Sequence, residues 1–162
     1  MVRQVHFQDW SVEVDREAPA EAYARIEASG SEVCGCQDCR NFVAVRDAGR
    51  LYPPEVPDML AELGVDPSLE AESWSVGPID ADHPDVHLYG WWFNVIGHLL
   101  PGELTQPREP ARELQVYPVS GGALADAAFG DAPLFRVELL GGLPWFLGET
   151  SWQADWSQQH GP

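Results

Sequence analysis

Three cysteines fall within six residues: Cys34, Cys36 and Cys39, in a C-x-C-x-x-C spacing. Thiolates are soft ligands, and this spacing can bring all three to one metal ion. A closed tetrahedral zinc site also needs a fourth ligand. Candidates are the five histidines, His6, His83, His87, His98 and His160, and the sequence does not choose between them. Such a zinc would be structural, fixing the start of a helix. The same residues permit redox chemistry, because Cys36 and Cys39 form a C-x-x-C pair. Cys39 would sit at a helix N-terminus, where the dipole lowers a thiol pKa. No βαβ pattern surrounds the pair, which weakens an analogy with thioredoxin. Three small residues packed where a helix begins is the third reading, and all three stay open.

Other chemistry-bearing residues are more scattered. Asn94 and His98 share the Leu88/Trp92/Ile96 face of an otherwise apolar strand. Buried there, they need partners: either a pocket in which His98 acts as acid or base with Glu138, or a hydrogen-bonded core. The acidic run from Asp80 to His87 offers oxygen and imidazole ligands. It lacks the glycine and terminal glutamate of a calcium loop and reads as a solvated turn. Trp152 and Trp156 lie four residues apart, on one face if Ser151 caps a short helix. With Trp145 they could dock on a sheet edge or anchor a partner. Nucleophile-elbow, zincin, phosphate-loop and dinucleotide motifs are absent from the sequence.

Charge narrows the function classes. The 162 residues carry 26 acids against nine basic residues, all Arg, for a net charge of −17. Neither half hides a basic patch, so direct nucleic-acid binding and attachment to an anionic membrane are not expected. A basic protein surface is the partner this charge favours. An immunity-type inhibitor, or an antagonist that mimics nucleic-acid charge, is the sharpest form of that reading. The alternative is a small enzyme or redox protein built on the cysteines or on His98. The first ten residues lack the apolar core of a signal peptide, and the most apolar stretch, 86–100, is too short and too polar to span a bilayer. A cytoplasmic location is therefore expected.

These side chains need a scaffold, and the length and composition suit one domain over 1–162, with 151–162 a candidate appended tail. Val5 and Phe7 alternate, then the phase shifts to Trp10, Val12 and Val14, which asks for a bulge or a strand break near Gln8–Asp9. A helix is expected over 19–29, with Gly30 as its left-handed C-terminal residue. A second begins near Asp38 as cap, with Phe42 and Val43 inward. A third follows Pro53 and Pro54, carries Val56, Met59, Leu60 and Leu63 at helical spacing, and stops at Gly64. Strands are expected over 72–76, 86–100, 113–119 and 134–140. The strand over 86–100 is apolar on both faces and should be central. The whole reads as α+β, with N-terminal helices packed on a mostly antiparallel sheet of about five strands.

Four pieces of the chain also resemble a small family of uncharacterised bacterial proteins. They are Cys34-Gly-Cys-Gln-Asp-Cys-Arg-Asn-Phe42, Leu51-Tyr-Pro-Pro-Glu-Val, Leu63-Gly-Val-Asp-Pro and His87-Leu-Tyr-Gly-Trp-Trp-Phe93. The family shares a C-G-C-x-x-C-R-N-F element, an L-G-[IV]-D-P helix end and a Tyr-Gly-Gly-Trp-like strand. This chain has Gly90-Trp91-Trp92 where the family has Gly-Gly-Trp. The resemblance spans roughly residues 30–100 and implies that the three thiols act together. It carries no mechanism and no catalytic residue.

Overall fold

The strand at the centre of the sheet is β4, Val86–Leu99. In the computed structural model, which describes residues 1–101 and 113–148, β4 pairs along one edge with β6, Leu134–Pro144. Its other edge is divided. β3, Glu72–Pro78, covers His87 to Trp92, and β2, Trp10–Asp15, covers Gly97 to Leu99. Tyr23 fills the gap between them, its hydroxyl donating to the Asn94 carbonyl at 2.9 Å. β1, Val2–Phe7, and β5, Gln115–Ser120, complete the order β1-β2-β4-β6-β5, with every pairing antiparallel. The described sheet thus has six strands where about five were expected. The extra one comes from the first apolar run, which is two strands joined at Gln8 and Asp9. Gln8 takes a left-handed backbone (φ 51°), and the phase shift is a hairpin reversal rather than a bulge.

Four α-helices are described: α1, Glu17–Tyr23, α2, Gly30–Cys34, α3, Gln37–Asp47, and α4, Glu55–Glu62. The single helix expected over 19–29 is therefore shorter, and Gly30 opens the next helix instead of closing this one. The reason is a capping box. Ser29 accepts from the Glu32 N–H, and Glu32 accepts from the Ser29 N–H. Likewise α3 is capped by Cys36, whose sulfur accepts from the Cys39 N–H, and not by Asp38. α4 lies close to where it was expected, with Gly64 left-handed beyond it (φ 72°) and packed on the Arg16 carbonyl.

One face of β4 carries Tyr89, Trp91, Phe93 and Val95, all essentially without solvent contact. They pack with Phe135, Val137 and Leu139 of β6 under Phe42, Val45, Leu60 and Leu63 of the helices. Phe42 meets Trp91 edge-on at 5.3 Å. Burying each such side chain contributes roughly 1.5–3 kcal/mol, so this layer holds the helices in place. The other face is less covered, with Trp92 and Ile96 half-buried. Trp74 of β3 lies over Gly90, where a β-carbon would fall 2.3 Å from its ring. No helix among the described residues is long and apolar enough to cross a membrane. The expected tail over 151–162, and Trp152, Trp156 and His160, lie outside the described residues.

Candidate metal centre

Cys34 is the last residue of α2, and Cys36 is the cap residue of α3. Gly35 between them is left-handed at φ 62°, which a side chain would resist, and its N–H donates to the Ser31 carbonyl. This one-residue corner turns the chain from one helix directly into the next. Cys39, in the first turn of α3, then comes round to the same side. The three sulfurs lie within 4.8 Å of one another. Sulfurs bound to one zinc at about 2.3 Å stand roughly 3.8 Å apart, so side-chain rotation of an ångström or less would close the cluster. The residues fit such an ion in type and spacing and would supply three of its four ligands.

Their environments differ. Cys34 and Cys36 are exposed, while Cys39 is buried. The Cys34 thiol is pulled below its usual range, first by the Cys36 N–H and then by the thiols of Cys39 and Cys36. Cys39 is pushed up to about 12, first by burial and then by the hydrogen bonds its proton makes to Cys34 and Cys36. In the metal-free state Cys34 is therefore more readily ionised than the inner Cys39, which holds its proton. Beneath Cys39 lies Ser73 of β3, with its hydroxyl 3.8 Å from the sulfur and 2.6 Å from the Ser31 hydroxyl. Both serines are buried. This relay can donate to a Cys39 thiolate, the outer-shell contact that typically orients a metal ligand.

Around this corner the helices are tied by groups the sequence did not single out. Arg46 of α3 reaches Glu32 at 3.1 Å, Glu70 at 3.4 Å, the Ser29 hydroxyl at 3.2 Å and the Ser68 carbonyl at 2.8 Å. It locks the start of α2 to the segment leading into β3. Asn41, wholly buried, donates to the Pro144 carbonyl at 3.1 Å and to the Tyr89 hydroxyl at 3.3 Å, and accepts from the Phe146 N–H at 2.7 Å. In the sequence Asn41 stands between Arg40 and Phe42, and nothing there marks it as buried.

Of the five histidines expected as fourth ligands, the four among the described residues lie elsewhere, and His160 is outside the described residues. Among the described residues no histidine or carboxylate joins the three sulfurs. His6 bonds Ser11 across the first hairpin at 2.6 Å, and His83 bonds Asp80 at 2.6 Å within the exposed turn. His87 is buried and stacks on the half-buried Trp145, with ring centres 4.6 Å apart. Burial lowers its pKa, opposed by Asp38, the Pro84 backbone and Asp85. His98 is exposed, opposite Glu13 on β2.

Asn94 is buried and satisfied, exchanging two 3.0 Å hydrogen bonds with the Ala123 backbone. Glu138, opposite Trp92, is held by Arg136 at 2.8 Å and Tyr117 at 3.1 Å. The structure does not bring His98 and Glu138 together. A cavity of about 210 Å³ lies beside Asn94, walled mainly by Tyr23, Ile26, Leu69, Leu124 and Phe129. Comparison of the chain with protein-family profiles, curated proteins and solved structures found no match.

Proposed function

We propose that the protein is an acidic binding protein whose α2–α3 corner is fastened by one zinc ion on Cys34, Cys36 and Cys39. The observation that carries this reading is the cluster of three sulfurs within 4.8 Å at a glycine corner. Zinc there would join two helix ends, and its three thiolate ligands come from six consecutive residues. The binding role rests on the charge of −17. It is supported by the sequestration of Arg46, whose side chain is only 10% exposed and faces three carboxylates. A basic macromolecular surface is the partner, in the manner of an immunity-type inhibitor or a nucleic-acid-charge mimic. A cytosolic setting would keep the thiols reduced and free to ligate.

Two measurements test this. Hydrogen exchange before and after chelation should show residues 30–45 loosening while β4 and β6 stay protected, since the core is large enough to fold without metal. Unchanged exchange at the corner would count against a metal fastening. Binding to a basic partner should weaken steeply as salt rises toward physiological strength, and salt-indifferent binding would count against charge capture.

A second reading has its own support. Cys36 is exposed at a helix cap with Cys39 buried behind it, which suits a dithiol that exchanges with disulfides. Attack by Cys36 on a substrate disulfide would expel one thiolate, and Cys39 would then displace the second and leave a Cys36–Cys39 disulfide. A readily reducible disulfide in protein isolated without metal would favour it.

A further inference from the structure

We propose that the zinc ion on Cys34, Cys36 and Cys39 keeps one coordination position toward solvent, and that this position takes a neutral imidazole donor from outside the chain. The inference rests on the zinc reading above and adds the ligand class. Cys39 forms the floor of the cluster, buried against Ser73, while Cys34 and Cys36 are exposed. An ion seated on the three sulfurs therefore lies on the outer side of the corner, with its fourth tetrahedral direction pointing away from the floor. Three protein ligands and one exchangeable position is the pattern of open zinc sites.

Charge then selects the donor. Zinc with three thiolates carries a net charge of −1. Glu72 of β3 directly precedes Ser73, whose hydroxyl lies 3.8 Å from the Cys39 sulfur, and the chain as a whole is at −17. A fourth anionic donor would add a like charge to this environment, whereas an imidazole adds none and suits zinc by its chemistry. A histidine on a basic partner would meet both the metal and the acidic surface.

The test uses the full chain, reduced and loaded with cobalt(II) at pH 8, with imidazole and azide as probes. Both probes are nitrogen donors of similar reach, one neutral and one anionic. Cobalt should give sulfur-to-metal charge transfer in the near ultraviolet. Imidazole should then shift the visible bands saturably with that charge transfer retained, and azide should bind at least about tenfold more weakly. Visible bands indifferent to imidazole would mean that this chain fills the fourth position. Azide binding as tightly as imidazole would remove the preference for a neutral donor. Loss of charge transfer on adding imidazole would show stripping rather than coordination. Each of these three results overturns the inference and leaves the metal site standing. No charge transfer on adding cobalt would overturn both.

Discussion

Replacing Gly30 by alanine sets two physical effects against each other, and the structure says which wins. Gly30 is the first residue of α2, where alanine is intrinsically favoured by roughly 0.5–1 kcal/mol. A β-carbon there would stand 2.0 Å from the Ala71 carbonyl oxygen, whereas ordinary contact begins at 3.4 Å, so something must retreat by about 1.4 Å. The sheet side cannot yield easily, because the Ala71 N–H is bonded to the Trp92 carbonyl at 2.9 Å. The helix has to move, and that breaks the bond from the Gly30 N–H to the Glu70 carbonyl at 2.9 Å. Overpacking costs about 1–3 kcal/mol and the lost bond about 1, against the helix gain. The net expectation is a destabilisation of about 2 kcal/mol, or roughly 4–8 °C in Tm for a chain of this size. Cys34 travels with α2, so zinc affinity should fall as well. Thermal unfolding followed by circular dichroism, with and without zinc, measures both. A Gly30→Ala protein as stable as the parent would refute this reading of how the cluster is positioned.

Other consequences can be read in the same way. In reduced, metal-free protein at pH 8, Cys34 should alkylate before Cys39, whose pKa is pushed up to about 12; a peptide-resolved iodoacetamide time course with Cys39 leading would contradict the proton placement. Asn41→Ala should cost about 2–4 kcal/mol in urea unfolding, because it strands the Pro144 carbonyl and the Phe146 N–H; a loss under about 0.5 kcal/mol would show that water replaces the amide. Burial lowers the folded pKa of His87, so its contribution to stability is present above the unfolded value near 6.5 and is lost as pH falls through the lower folded value. His87→Phe should therefore flatten the acid limb of stability against pH, and an unaltered limb would place that titration elsewhere.

What was legible in the sequence was mostly local. The three cysteines could be grouped because six residues cannot stray far apart. α4 could be placed because its apolar spacing, its prolines and Gly64 all agree. β4 was legible as central because both of its faces are apolar. The errors came where two local signals competed. Gly30 fits a helix end, but the Ser29/Glu32 capping box makes it a helix start. Asp38 is the commoner cap residue, yet Cys36 lies at the corner that Gly35 makes.

Register accounts for the His98–Glu138 pairing that did not form. Glu138 stands opposite Trp92, and His98 lies six residues further along β4, a separation of roughly 20 Å in an extended strand. The supports of the cysteine corner, Ser31–Ser73 and Arg46–Glu70, join residues distant in sequence. Periodicity carries no trace of them.

Elemental analysis of protein purified without added zinc, paired with thiol titration before and after chelation, tests the metal centre most directly. Cys34, Cys36 and Cys39 are the chain's only cysteines, so every titrated thiol reports on the cluster. Near-stoichiometric zinc, with the thiols masked until a chelator is added and metal lost on acidification, is the expected result. Metal-free protein whose three thiols titrate freely from the start would contradict it.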